Sequence, residues 1–81
     1  MKKLIVSDIL NIMEDEEEVN CNFTAYGVHY ASSWNDGMRT VADCKDRMNY
    51  NCIHALVTGI RHVETFDHEH QMVQINASLT K

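Results

Sequence analysis

Residues 13–20 read MEDEEEVN, so five adjacent acids, Glu14, Asp15, Glu16, Glu17 and Glu18, stand between an amphipathic segment and an alternating one. Like charges at this density repel one another, and the run has two readings. It is a solvated loop that keeps the protein soluble, or it is a recognition surface for a basic partner. In the second reading a row of carboxylates imitates a nucleic-acid backbone, which in duplex DNA carries one charge per ~1.7 Å of axis. Asp43 and Asp46, farther along the chain, would extend the same negative face.

A second group with chemistry in it is the histidine-rich stretch, where His62, His68 and His70 accompany Glu64, Asp67 and Glu69. On a strand His68 and His70 share a face, and His62 lies across from them if the segment folds back. That geometry suits a divalent ion such as zinc. Without a cysteine pair or a third fixed ligand these are weak metal candidates, and the alternative is an exposed polar turn. Cys52 and His54, two apart, would share a strand face as a thiol–imidazole pair. Nucleophilic catalysis also needs an orienting group, an oxyanion site and a cleft. The sequence offers no sign of these, and a buried structural cysteine is the common state. The expectation is a protein that is not an enzyme and needs no cofactor. Among the aromatic residues, Phe23 belongs to a core, whereas Tyr26 and Trp34 are either interface anchors or a cover for a sheet.

The elements that must position these groups follow from periodicity. Val6, Ile9, Leu10 and Met13 recur at i, i+3, i+4 and i+7, one stripe of a helix, with Ser7 as its expected N-cap. Acids are unfavourable at the negative end of a helix, so this helix should stop near residues 13–15, at the acidic run. In VNCNFTA, Val19, Cys21, Phe23 and Ala25 alternate with polar residues, the mark of a half-buried strand. Gly27 allows a turn or bulge, and Val28, Tyr30 and Trp34 continue on one face of a second strand. Asn35, Asp36 and Gly37 are turn residues. Thr40 and Asp43 resemble a capping box opening a short helix with Val41, Cys44 and Met48 on its apolar stripe, and Asn49 to Asn51 as its exit. Residues 52–66 fit either period. Their β-branched residues and Gly59 favour a strand. Val73, Ile75, Ala77 and Leu79 alternate inward in a last strand that pairs with its predecessor as a hairpin. The sum is a single α+β domain over residues 1–81: a small antiparallel β-sheet of about four strands, an N-terminal helix and a second short helix.

The chain has 81 residues, enough for one small domain whose core is marginal and whose room for a deep pocket is small. Twelve acids against seven bases give a net charge of −5, which disfavours direct nucleic-acid binding and favours a basic partner. The three cysteines include no CxxC pair and leave one over in any disulfide scheme, a pattern of a reducing cytosol. The opening MKKLIVSDIL breaks at Ser7 and Asp8, too soon for a signal peptide, and no stretch approaches transmembrane length.

The acidic segment VSDILNIMEDEEEVN, then strands, a short helix and a closing hairpin VTGIRHVETFDHEHQMVQIN, resembles small accessory proteins encoded by phages and prophages, anti-CRISPR and other anti-defence inhibitors among them. The resemblance lies in size, charge and order of elements. It implies a short, cytoplasmic, non-enzymatic inhibitor acting in a bacterial host, and it carries over no site residue. Together with the charge it leads to an inhibitor that binds a basic surface of a nucleic-acid-handling host protein, a CRISPR effector among the candidates. Glu14 to Glu18, Asp43 and Asp46 would supply charge, and Tyr26 and Trp34 the anchors. The alternatives are a homo-oligomeric accessory protein that buries its aromatic face, a homodimer being the simplest form, and a metal-binding domain built on the histidine turn.

Overall fold

A computed structural model describes residues 3–64 and 71–80. Seven elements follow one another: α1 (Val6–Leu10), β1 (Val19–Ala25), β2 (Val28–Ser32), α2 (Val41–Arg47), α3 (Tyr50–Ile53), β3 (Leu56–Glu64) and β4 (Gln71–Ser78). The strands form one sheet in the order β2-β1-β4-β3. Two antiparallel hairpins, β1–β2 and β3–β4, meet through a parallel pairing of β1 with β4, in which Val19 lies beside Val73 and Phe23 beside Ala77. The fold is α+β with four strands, as the alternation implies. The sheet is mixed because of that central joint. A period of two is common to both strand senses, so the pattern of side chains does not encode the direction of the partner.

The two central strands carry the core. Val19, Cys21 and Phe23 from β1 and Ile75 and Ala77 from β4 are buried with Val6, Ile9 and Leu10 of α1, Val41 and Cys44 of α2, and Cys52 of α3. The intervening positions, Asn20, Asn22, Thr24, Gln74, Asn76 and Ser78, lie on the opposite, polar face, as strand alternation requires. The helices are short, and a helix of five to seven residues does not persist alone in water, so their apolar stripes hold them on the sheet.

Local chemistry places each end. α1 begins two residues earlier than Ser7 as N-cap would set it. Ile5 is the N-cap, and its N–H donates to the Asp8 carboxylate at 3.0 Å, a bond reaching back from the third helical position. The β1–β2 turn is two residues long, with Tyr26 at φ 54° and Gly27 at φ 78°, the backbone of a tight hairpin matched to strand twist. Thr40 caps α2, its hydroxyl accepting from the Asp43 N–H at 3.2 Å. Asn49 is not simply the exit of α2: its side chain accepts from the Cys52 N–H at 2.9 Å and opens α3, a turn of helix too short for periodicity to register. Residues 56–64 are strand, as their β-branched content implies. Cys52 falls before that strand, on α3, so it does not share a strand face with His54.

Candidate functional site

The acidic run forms an ordered corner. α1 ends at Leu10, four positions before it, and the chain then turns, with the Glu17 N–H donating to the Glu14 carbonyl at 3.1 Å and the Glu14 N–H to the Glu17 carboxylate at 3.1 Å. The loop docks through its backbone onto the start of α2. The Asp15 carbonyl accepts from the Ala42 N–H at 3.0 Å, the Glu17 carbonyl from the Val41 N–H at 3.0 Å, and Glu18 bridges to Thr40. Those N–H groups belong to the first turn of α2 and have no partner within the helix. The acids therefore leave the negative end of one helix and settle at the positive end of another, where negative charge is favoured.

Glu14, Asp15, Glu16 and Glu17 are exposed, and Glu18 is half-buried where it joins β1. Asp43 lies in the first turn of α2 and Asp46 one turn on, exposed. Segments 14–18 and 39–47 together hold seven acids and the three bases Arg39, Lys45 and Arg47, a local net charge of −4 that accounts for most of the chain's −5. All three bases are engaged locally, Arg47 by donating to the Asp36 and Gly37 carbonyls at 3.4 Å each. Lys45 Nζ sits 3.1 Å from Asp15 Oδ1, an exposed pair of small energetic weight. The Arg39 guanidinium lies 4.6 Å over the Trp34 ring. Among the described acids of the run, then, Asp15 is tied to a lysine, while Glu14 and Glu16 point their charge to solvent.

The two aromatic candidates part company. Trp34 belongs to the turn after β2, half-buried beside the acidic corner, with its indole N–H donating to the Val19 carbonyl at 2.8 Å and Arg39 across its ring. Tyr26 is almost fully exposed at the other end of β1, roughly 20 Å from the acids by strand rise. The acids, Asp43, Asp46 and Trp34 thus share one corner, and Tyr26 does not join them. What the sequence reading missed lies around Tyr26: Val28 and Tyr30 are exposed with it along β2. Their alternation was in plain view; what was not is that β2 is an outer strand.

Of the histidines, His62 is exposed on β3, opposite Val73, and His68 and His70, with Asp67 and Glu69, lie outside the described residues. Among the described residues no group of three metal-ligating side chains converges. His54 stacks on Tyr50 with ring centroids 4.1 Å apart. Cys52 is buried at the edge of a cleft of about 260 Å³ lined also by Phe23, Met38, Arg47, Met48 and Asn49, and burial, with the Asp36 carboxylate second, pushes its thiol up from its ordinary value. A protonated, buried thiol is a poor nucleophile. The Cys21 thiol is pushed up further, by its hydrogen bond to Cys44 and then by burial. No helix among the described residues is long and apolar enough to cross a membrane. The chain matches no protein-family model, no curated protein and no solved structure.

Proposed function

We propose that this protein is a non-enzymatic inhibitor of the phage anti-defence type, which sets its acidic corner into a basic groove of a nucleic-acid-handling host protein, a CRISPR effector being the case its resemblance points to. The observation that carries the reading is the docking of the acidic loop. Its backbone is fixed on the first turn of α2 while four successive acids, Glu14 to Glu17, remain exposed. A fixed loop presents its charges without first losing conformational freedom, which is the cost that weakens flexible acidic tails. Glu14, Glu16 and Glu17 supply charge directly, Asp15 does so once Lys45 is displaced by a partner's cation, and Asp43 and Asp46 extend the face along α2. Trp34, already under a guanidinium, marks where a partner's arginine would stack. Inhibition is by occlusion: the groove cannot hold nucleic acid and this corner together.

The test is capture from a bacterial lysate on the immobilised protein, beside a variant with Glu14, Glu16, Glu17 and Glu18 changed to Gln and Asp15 to Asn. Circular dichroism should show both folded. The parent should retain a basic nucleic-acid-binding protein at low salt, and added DNA or higher salt should release it, as screening shortens to about 3 Å at 1 M. Equal retention by the neutralised variant, or indifference to DNA, would overturn the reading.

A further inference from the structure

We infer that the outer edge of β2 is a self-association surface, where a second copy of this chain adds its own β2 antiparallel to the first and extends the two sheets into one. The inference is independent of the acidic corner and lies at the other side of the hairpin. β2 ends the sheet, and among the described residues nothing pairs with its outer side. A strand edge presents unpaired N–H and C=O groups, and proteins usually guard such edges with charge, proline or a covering segment. The opposite edge is guarded in this way. β3 carries the exposed Arg61 and has the N-terminal segment laid along its start, with Ile5 bridged to Leu56. β2 has neither, and although it is bulged like β3, with Tyr30 the extra residue between the pairs Phe23–Ala31 and Thr24–His29, it carries no charge and no cover. From Val19 to Asn35 the chain holds no Asp, Glu, Lys or Arg, and no proline.

On that uncharged, uncovered edge stand three large side chains, Tyr26 at 89% exposure and Val28 and Tyr30 at 67% each. Tyr26 is held at φ 54°, a left-handed backbone that a tyrosine adopts at a cost where Asn or Gly would not. Its N–H is fixed by the Thr80 hydroxyl at 3.0 Å, so the ring is presented at the tip of the edge by a strained but anchored turn. Strain of this kind, kept against an easier alternative, accompanies binding surfaces.

Charge selects the occupant. Two molecules of net charge −5 repel over most of their surfaces, and the uncharged hairpin is where they meet without opposing acids. Symmetry supplies the register: a two-fold axis at the bulged residue Tyr30, the middle of Val28–Ser32, brings the two Tyr30 side chains together and sets Val28 toward Ser32 of the other copy. The area is adequate for a weak dimer. With tyrosines offering roughly 150–250 Å² each, the three exposed side chains contribute about 400 Å² per copy. The paired backbones add to the resulting ~800 Å² and bring the total near the ~1,000 Å² that separates specific from incidental contacts.

Sedimentation velocity of the untagged protein, from low-micromolar to near-millimolar concentration, tests this. The parent should pass from monomer to dimer, and added salt should strengthen the dimer by screening the net repulsion, the reverse of its effect on the acidic corner. Tyr30→Lys should remain monomeric across the range with an unchanged circular dichroism spectrum. Ile12→Lys, at a still more exposed apolar position away from β2, should dimerise like the parent. Tyr26→Asn should melt higher, since it relieves the turn, and yet associate more weakly, a combination that a purely structural role for Tyr26 does not produce. A parent that stays monomeric throughout, a Tyr30→Lys that dimerises as well as the parent, or an Ile12→Lys that abolishes the dimer overturns the inference.

Discussion

Ser33 and Ser32 are neighbours, both buried, and the structure assigns them very different weights. Where the chain leaves β2, the Ser33 N–H donates to the Cys21 carbonyl at 2.9 Å, as a ladder bond should. The return bond is not made by the Ser33 carbonyl, which accepts instead from Met38 at 2.8 Å and Asp36 at 3.1 Å in the following turn. The Ser33 hydroxyl takes its place, accepting from the Cys21 N–H at 2.9 Å. Cys21 is fully buried and Ser33 is 1% exposed, so no water replaces the hydroxyl. Ser33→Ala therefore leaves a buried N–H without a partner, which costs about 1–3 kcal/mol. A domain of this length has a total stability on the order of 4–12 kcal/mol. With a slope near 1 kcal/mol per molar urea for so small a protein, the unfolding midpoint should fall by about 1–3 M. Ser32→Ala is the control: its hydroxyl accepts only a long 3.4 Å bond from Asn35 at the mouth of the turn, and its loss should cost less than about 1 kcal/mol. Urea titration followed by Trp34 fluorescence and by circular dichroism measures both. Equal midpoints for Ser33→Ala and the parent, or a larger loss in Ser32→Ala, would refute the assignment of the hydroxyl as a strand acceptor.

Thr40→Ala removes the cap of α2 and should lower stability by about 1 kcal/mol, read as a fall of roughly 4–8 °C in Tm, with Thr40→Ser restoring most of it. Gly27→Ala meets no atom within 4 Å, so any loss is pure backbone strain at φ 78°, about 1 kcal/mol, visible as a lower Tm without a change in the folded spectrum. The Cys52 thiol is held above its ordinary value of 9.0, first by burial, so the folded chain keeps a proton that the unfolded chain releases. The contribution of this thiol is then full below about pH 9 and declines as pH rises beyond it, so the urea midpoint should drop between pH 8 and pH 10, by less in Cys52→Ala. At pH 8 the native thiols should resist a disulfide reagent, with Cys52 at the cleft reacting first and all three reacting in urea.

Side-chain alternation is enough to find β1 and β4, because each has one face in the core and one away from it. The turn at Gly27 and the cap at Thr40 are equally plain, since each needs a residue type with a specific backbone or hydroxyl duty. Other features depend on contacts between distant residues. The parallel joint between β1 and β4 is invisible locally. Asn49 carries the same signal whether it closes one helix or opens the next, so α3 escapes notice. At α1 the capping oxygen comes from Asp8, after the cap position, and points attention to Ser7 instead. For the acidic corner, charge and exposure could be read from residues 14–18, but the docking on α2 and the Lys45 contact join segments some thirty residues apart. The distance between Tyr26 and the acids is a consequence of the length of β1, seven residues fully extended.

The joint at the middle of the sheet also governs how this chain acquires its shape. Each hairpin closes on itself quickly, but a two-stranded hairpin has little stability of its own. They lock only when residues 19–24 find residues 73–78, a span of more than fifty positions that must be gathered at once. Folding should accordingly be slow for so small a protein, with both halves forming and dissolving until that encounter. On the ribosome, the first hairpin would wait, its apolar face uncovered, until nearly the whole described chain had emerged.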